Sequence, residues 1–289
     1  MDVKALKNLF QNMPHLEGNI SRIDPAMGGS INQSYLVTLD NGQSLFVKTH
    51  SAQTIPGMYA AEAKALNQLA EPGVINVPRC LYASDDYLVL EAFTEGRPAP
   101  DWQVQMGRGL ALLHQATQSA RFGFECDNYL GTTPQDNTWR DDWISFCREQ
   151  RLAPQFALYA QQAGHGDTLL KKGEQLLNQL DEVLAGDPEP GVLLHGDLWS
   201  GNAAANAKGA PVIYDPASYY GHREAEFGMM RLFGGFDQEC EAAYQEIWPF
   251  QSGYDRRIEV YRLYHQLNHL NLFGSSYYEG CLTTLKRLL

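Results

Sequence analysis

Paired cysteines, a long apolar run and an excess of basic charge are all missing from this chain, and each absence removes a class of protein. The five cysteines, Cys80, Cys126, Cys147, Cys240 and Cys281, are odd in number, include no C-x-x-C pair and do not cluster with histidines. Neither a disulfide framework nor a structural zinc site is indicated, and a reducing cytoplasmic setting fits. No stretch approaches the roughly 20 apolar residues of a bilayer span, and the opening "MDVKALKNLFQNMPHLEG" lacks the apolar centre of a signal peptide. The expectation is a soluble, unprocessed protein with no membrane partner. Only 22 Lys and Arg stand against 34 Asp and Glu, a formal charge of −12. That balance repels nucleic acid and anionic lipid, so no nucleic-acid partner is expected. It leaves room for a phosphorylated small molecule, because backbone amides, one lysine and bound metal ions can build a local anion site. Internal repeats and low-complexity tracts are absent too, which removes solenoids and long linkers.

What is present changes texture along the chain. Between residues 20 and 50, "SYLVTLD" and "QSLFVKT" flank Asn41-Gly42, a strong hairpin signal. Residues 57 to 70, "GMYAAEAKALNQLA", are helix formers, and "YLVLEAF" is a further strand running into the breakers of "TEGRPAP". Beyond that break helices dominate. Met106, Leu110, Leu113 and Thr117 recur at helical spacing, as do Val260, Leu263, Leu267 and Leu270. Two short strands, "GVLLH" and "PVIYD", interrupt them. The predicted class is α+β, with a small antiparallel-sheet lobe over residues 1–93 and a larger, mainly helical lobe over 94–289.

Candidate chemistry follows the same order. Gly28-Gly29-Ser30 precedes a strand and can offer amides to phosphate, although it fits neither G-x-x-x-x-G-K-[ST] nor G-x-G-x-x-G, and an ordinary turn is the alternative. Lys48 ends a hairpin strand on the face of Phe46. Met58, Glu62, Ala65, Leu66 and Leu69 form one helical stripe, which sets a carboxylate on an apolar face. Burying it unpaired costs several kcal/mol, roughly ten times what an exposed pair returns, so Glu62 needs a cation and Lys48 is the nearest. Glu91, Ala92 and Phe93, at the end of a buried strand, would present unpaired peptide groups to an adenine edge, or would simply connect two lobes.

The stretch "LLHGDLWSGN" puts Asp197 and Asn202 at the D-x-x-x-x-N spacing that serves a kinase as base and magnesium ligand. Asp215 at the end of "PVIYD" adds a second oxygen ligand, and His195 is read as holding the loop. A competing reading makes His195, Asp197, Asp215 and His222 ligands of a hydrolytic metal, which leaves Asn202, Lys48 and Glu62 without roles. Together the set describes phosphoryl transfer from ATP with Mg²⁺, with Asp197 taking the proton of a hydroxyl.

"HGDLWSGN", "YDPASYYGHREAEFGM", "GGSINQSY", "FVKT" and "FGFECDNYLGTTPQDNTWRDDWISFCREQRLAPQ" resemble the fructosamine kinase (ketosamine-3-kinase) family, within the protein-kinase-like phosphotransferases. The resemblance spans nearly the whole chain. It implies a two-lobed protein-kinase-like fold and ATP- and Mg²⁺-dependent phosphorylation of the 3-hydroxyl of ketoamine sugars, free or on a glycated protein lysine, in deglycation repair. Trp199 would then face the sugar, or else anchor the loop. Glu224 is a candidate for the substrate's ammonium, while Glu226 is assigned to structure. The family pattern has a redox-active Cys in the Gly-rich turn where this chain has Ser30, so a monomer without that switch is expected. A nucleotide-binding pseudokinase and a kinase of another hydroxylated amine, of aminoglycoside or choline type, are the alternatives.

Overall fold

The computed structural model describes residues 13, 18–26, 32–50, 54–164 and 166–289. Gly28, Gly29 and Ser30 therefore lie outside the described residues. The N-terminal part is a five-stranded antiparallel sheet made of β1 (Ile20–Ala26), β2 (Asn32–Leu39), β3 (Ser44–His50), β4 (Cys80–Ala83) and β5 (Tyr87–Glu91) in the order β1-β2-β3-β5-β4. The β2–β3 turn closes at Asn41-Gly42, where Gly42 takes φ 87° and the Leu39 N–H donates to Gln43 O at 2.8 Å. Strand alternation then sorts β3 into two faces. Leu45 and Val47 pack with Val37, Leu39 and Val89 on one side. Phe46 and Lys48 face the other, where α1 (Met58–Ala70) lays Tyr59, Ala63 and Leu66 against Leu88 and Leu90. The lysine is thus delivered beneath a helix rather than into solvent.

The remainder is mainly helical around one large core. The helix Trp102–Ala116 buries Met106, Leu110 and Leu113, and the helix Tyr254–Phe273 buries Val260, Leu263, Leu267 and Leu270, as the helical spacing requires. Thr117 closes the first of these, its hydroxyl donating to Leu113 O at 2.8 Å and accepting from the Leu193 N–H at 3.1 Å. The predicted strands appear as Gly191–Leu194, central in a three-stranded sheet, and Pro211–Ile213, paired with Ala203–Ala205. The chain enters the segment that holds Asp197 and Asn202 from Gly191–Leu194 and leaves it into Ala203–Ala205. Asn76, just before β4, ties the two parts together: its carbonyl accepts from the Ile213 N–H at 3.0 Å and its amide donates to Pro211 O at 2.7 Å.

The connector after β5 departs from expectation. The Glu91 N–H donates to Arg79 O at 2.9 Å and the Ala92 N–H to Ser44 O at 3.2 Å, so two of the three donors assigned to an adenine edge are already spent on the sheet. An edge carbonyl within reach captures such a donor whenever the strand continues one residue further than its side-chain pattern suggests.

Candidate active site

Lys48, Glu62, Asp197, Asn202 and Asp215, scattered over most of the chain, line a single cleft of about 190 Å³ between the sheet and the helical part. Lys48 is buried, and its ammonium reaches Glu62 Oε1 at 2.6 Å and Asp215 Oδ1 at 2.5 Å. Burial works against its charge, but the carboxylates of Asp215 and Glu62 outweigh it and hold the ammonium's pKa above the usual lysine value. One cation serving two carboxylates leaves the centre net negative, a place for further positive charge.

Asp215 sits two residues past its strand with φ 60°, the only non-glycine residue with positive φ among the described residues. A left-handed turn costs an L-residue about 1–2 kcal/mol, and short polar side chains tolerate it best. Here it turns the carboxylate back toward Lys48. Asn202 donates through Nδ2 to Asp197 O at 2.8 Å and to Asp197 Oδ2 at 3.0 Å. Every group around that nitrogen is an acceptor, which fixes the amide's orientation and leaves its oxygen available. Burial pushes the Asp197 carboxyl well above its usual range; the Asn202 hydrogen bond opposes this, and the charges of Asp215 and Glu226 reinforce it. A carboxylate so placed is a better proton acceptor than one in water.

The loop is held from behind. His195 accepts from the Asp197 N–H at its Nδ1, 3.3 Å away, and its Nε2 lies 2.9 Å from Tyr214 O, a carbonyl that only accepts. The two contacts select one neutral tautomer, and burial lowers the ring's pKa in the same sense. Glu226, buried, accepts from the His195 N–H at 2.6 Å and the Gly196 N–H at 3.1 Å. Both glycines of "HGDLWSGN" answer steric demands. Gly196 has φ 81° with Ala217 O where a Cβ would stand, and a Cβ on Gly201 would lie 2.3 Å from the Trp199 ring. Trp199 lines the cleft with its ring 5.7 Å from that of Phe233.

Glu224 is elsewhere, and this corrects its assignment to substrate. It is fully buried and holds Arg257 through both oxygens, each at 2.7 Å, so it has no face for an incoming ammonium. Beside it Arg223 holds Glu189 at 2.8 and 3.0 Å, and His222 lies 3.3 Å from Glu189. His222 is therefore not brought to Asp197 and Asp215, and among the described residues no group of three or more His, Cys, Asp or Glu side chains forms a metal cage. That removes the support for the hydrolytic-metal reading. Two parts of the cleft wall escaped sequence reasoning. One is the hairpin tip Tyr129 to Gly131, the other the end of the long helix at Asn268, His269, Leu272 and Phe273. The i, i+4 pair His269 and Phe273 was the available signal for the second.

Fold and site together define a protein-kinase-like phosphotransferase: a five-stranded antiparallel sheet over a helical part, with a buried lysine–glutamate pair facing a D-x-x-x-x-N loop and a strand-end aspartate. The fructosamine kinase profile matches residues 3–289, and the chain belongs to that family. It is 44% identical over 270 residues to a probable ketoamine kinase of Synechocystis sp., covering 91% of this chain and 88% of the relative. It is 40% identical over 272 residues to the chloroplastic protein-ribulosamine 3-kinase of Arabidopsis thaliana, covering 92% and 82%. The crystal structure of a candidate fructosamine-3-kinase from Thermobifida fusca superposes with a TM-score of 0.90 at 31% identity, over 99% of both chains. No helix among the described residues is long and apolar enough to cross a membrane.

Proposed function

We propose that this chain transfers the γ-phosphoryl group of ATP to the 3-hydroxyl of a ketoamine sugar, a ribulosamine or fructosamine, carried on a small amine or on a protein lysine. The observation that carries the reading is the placement of Lys48 between Glu62 and Asp215 in the same cleft as Asp197 and Asn202. Glu62 positions the ammonium, and the ammonium meets the phosphates. The attacking O3 forms its bond to phosphorus as the bond to the bridging oxygen of ADP breaks, and the O3 proton passes to Asp197. Positioning and charge neutralisation supply most of the acceleration in such transfers.

The available Asn202 oxygen and the Asp215 oxygen not engaged by Lys48 are hard donors of the kind Mg²⁺ takes alongside phosphate oxygens. These two residues would hold it, and it would supply neutralisation of the triphosphate's charge. Residues 1–93 are assigned to the nucleotide, with Gly28, Gly29 and Ser30 at the phosphates. At the adenine edge Phe93 keeps an N–H without a backbone partner among the described residues, while those of Glu91 and Ala92 are spent. Residues 94–289 carry the acceptor side, Trp199 included. A 3-phosphate is a better leaving group than a hydroxyl, so the product loses a C1 proton and inorganic phosphate by elimination. Water then hydrolyses the resulting imine to a deoxy-dicarbonyl sugar and the free amine, a deglycation repair performed by a cytoplasmic monomer.

The test is Mg-ATP turnover on ketoamines of different sugar length, followed as ADP release, with Asp197→Asn as control. Phosphorylation of ribuloselysine or fructoselysine at O3 is the expected result. Failure of both, with turnover of another hydroxylated amine, would discard the substrate class and keep the chemistry.

A further inference from the structure

The acceptor end of the cleft has an unusual lining. Trp199, Phe233, His269, Phe273 and Tyr277 stand ring to ring, with centroids 5.7 Å apart for Trp199 and Phe233, 4.8 Å for Phe233 and His269, 5.4 Å for His269 and Phe273, and 5.2 Å for His269 and Tyr277. Trp199, His269 and Phe273 also line the cleft that holds Asp197, so the row of rings is continuous with the catalytic centre. Its outer end is open. Phe233 is 39% exposed and Phe273 52%, two of the four most exposed large apolar side chains among the described residues. Rings left in water beside a reaction centre call for an occupant.

The charges identify it. The carboxylates lining the cleft are Glu62, Asp197 and Asp215; Glu62 and Asp215 already share Lys48, and Asp197 is assigned to the proton of the acceptor hydroxyl. Glu224, the acid the sequence offered for an ammonium, is closed onto Arg257. His269 adds an acceptor without adding charge. Its Nδ1 lies 2.8 Å from His265 O, a carbonyl that only accepts, so Nδ1 carries the hydrogen and the neutral ring keeps a lone pair on Nε2. Burial lowers this ring's pKa, with the His265 contact opposing, so it is uncharged at neutral pH. Aromatic faces together with a neutral imidazole acceptor attract a cation that carries alkyl carbons and an N–H.

We propose that this aromatic shelf is the subsite for the ammonium-bearing arm of the acceptor, with the protonated secondary amine over the ring faces and the attached alkyl chain running outward along Phe233 and Phe273. This rests on the ketoamine reading for the identity of the acceptor. It makes recognition of the amine a matter of ring quadrupoles rather than of a carboxylate. It also makes the amine's other substituent solvent-directed, which suits an adduct on a protein side chain.

The test compares the ribulose adduct of lysine amide with its oxygen isostere, in which an ether replaces the amine. Each is read as a KM where turned over and as a Kd by titration calorimetry where not. Wild-type protein should prefer the ammonium compound by about 2- to 30-fold, the range such contacts give. Phe233→Leu and Phe273→Leu, which keep apolar bulk and remove the π face, should each lower that preference, and Phe273→Trp should keep it. The KM for ATP should stay within about twofold, and thermal melting should confirm that each variant folds. Equal affinity of wild type for the two compounds, binding of neither, or an equal loss for both in the leucine variants would overturn the shelf. Preferential binding of the ammonium compound without phosphorylation of either would discard the ketoamine kinase reading and leave the shelf standing.

Discussion

Two clusters of buried charge, built from the same kinds of groups, have opposite fates in this molecule. In the helical part, Arg223 and Arg257 each clasp a glutamate, and their remaining donors go to carbonyls: Trp248 O at 2.9 Å and Pro249 O at 2.7 Å for Arg223, Ser252 O at 2.9 Å for Arg257. Charges balance and valences are filled. In the cleft, Lys48 faces two carboxylates, Asp197 stands uncompensated nearby, and the Asn202 oxygen is left over. The closed cluster can only hold the fold, whereas the open one is complete when a polyphosphate and cations arrive. Burial and residue type do not separate structure from function here; unfilled valence does.

Several substitutions would break or sharpen this contrast. In the open cluster, Asp197→Asn should lower kcat by about 10²–10⁴-fold while the melting temperature and the KM for ATP move little, as coupled ADP release and calorimetry would show. Lys48→Met, removing a single charge stabiliser, should lower kcat by about 10²–10³-fold. In the closed cluster the sign of the contrast reverses. Arg257→Met leaves the fully buried Glu224 without its partner and should cost about 3–5 kcal/mol, read by denaturant unfolding, with kcat per folded molecule unchanged. If that variant lost turnover and kept its stability, the two clusters would not be distinct in role.

The smallest effect, taken one side chain at a time, concerns protons. Burial lowers the pKa of His114, His195, His222 and His265, the last to about 3. A depressed folded pKa means that the unfolded chain takes up protons first as pH falls. Stability should be full above the unfolded histidine pKa of about 6.5 and decline below it toward the folded values, by about 1.4 kcal/mol per pH unit for each such ring. Unfolding free energies at pH 7.5, 6.5 and 5.5 would show it, and His265→Gln should flatten the slope by one ring's share.

How much of this was legible beforehand follows from distance along the chain. The hairpin, the stripe of α1 and the pairing of Lys48 with Glu62 were readable because turn chemistry and helical period act over a few residues, and a buried carboxylate demands a cation. Asp197 and Asn202 were readable as a fixed spacing, and they do meet. The second carboxylate on Lys48 was not, since Asp215 lies 167 residues away and no local pattern links them. Glu224 misled for the same reason. Its chemistry suits an ammonium, but Arg257, 33 residues later, had already claimed it. The shelf was invisible because its rings come from three separate segments, and an aromatic residue reads as core until its exposure is seen.

The torsion at Asp215 carries one more consequence. A peptide wound into the left-handed basin stays there only while something outweighs the strain; the Asn202 amide, which donates to Asp215 O at 3.4 Å, is one contact that contributes, and the Lys48 ammonium on the carboxylate is the shorter one. Severing that contact releases a latch as well as deleting a charge. A crystal structure of the Lys48→Met protein should show the Asp215 backbone relaxed toward the right-handed region and its carboxylate swung out of the cleft.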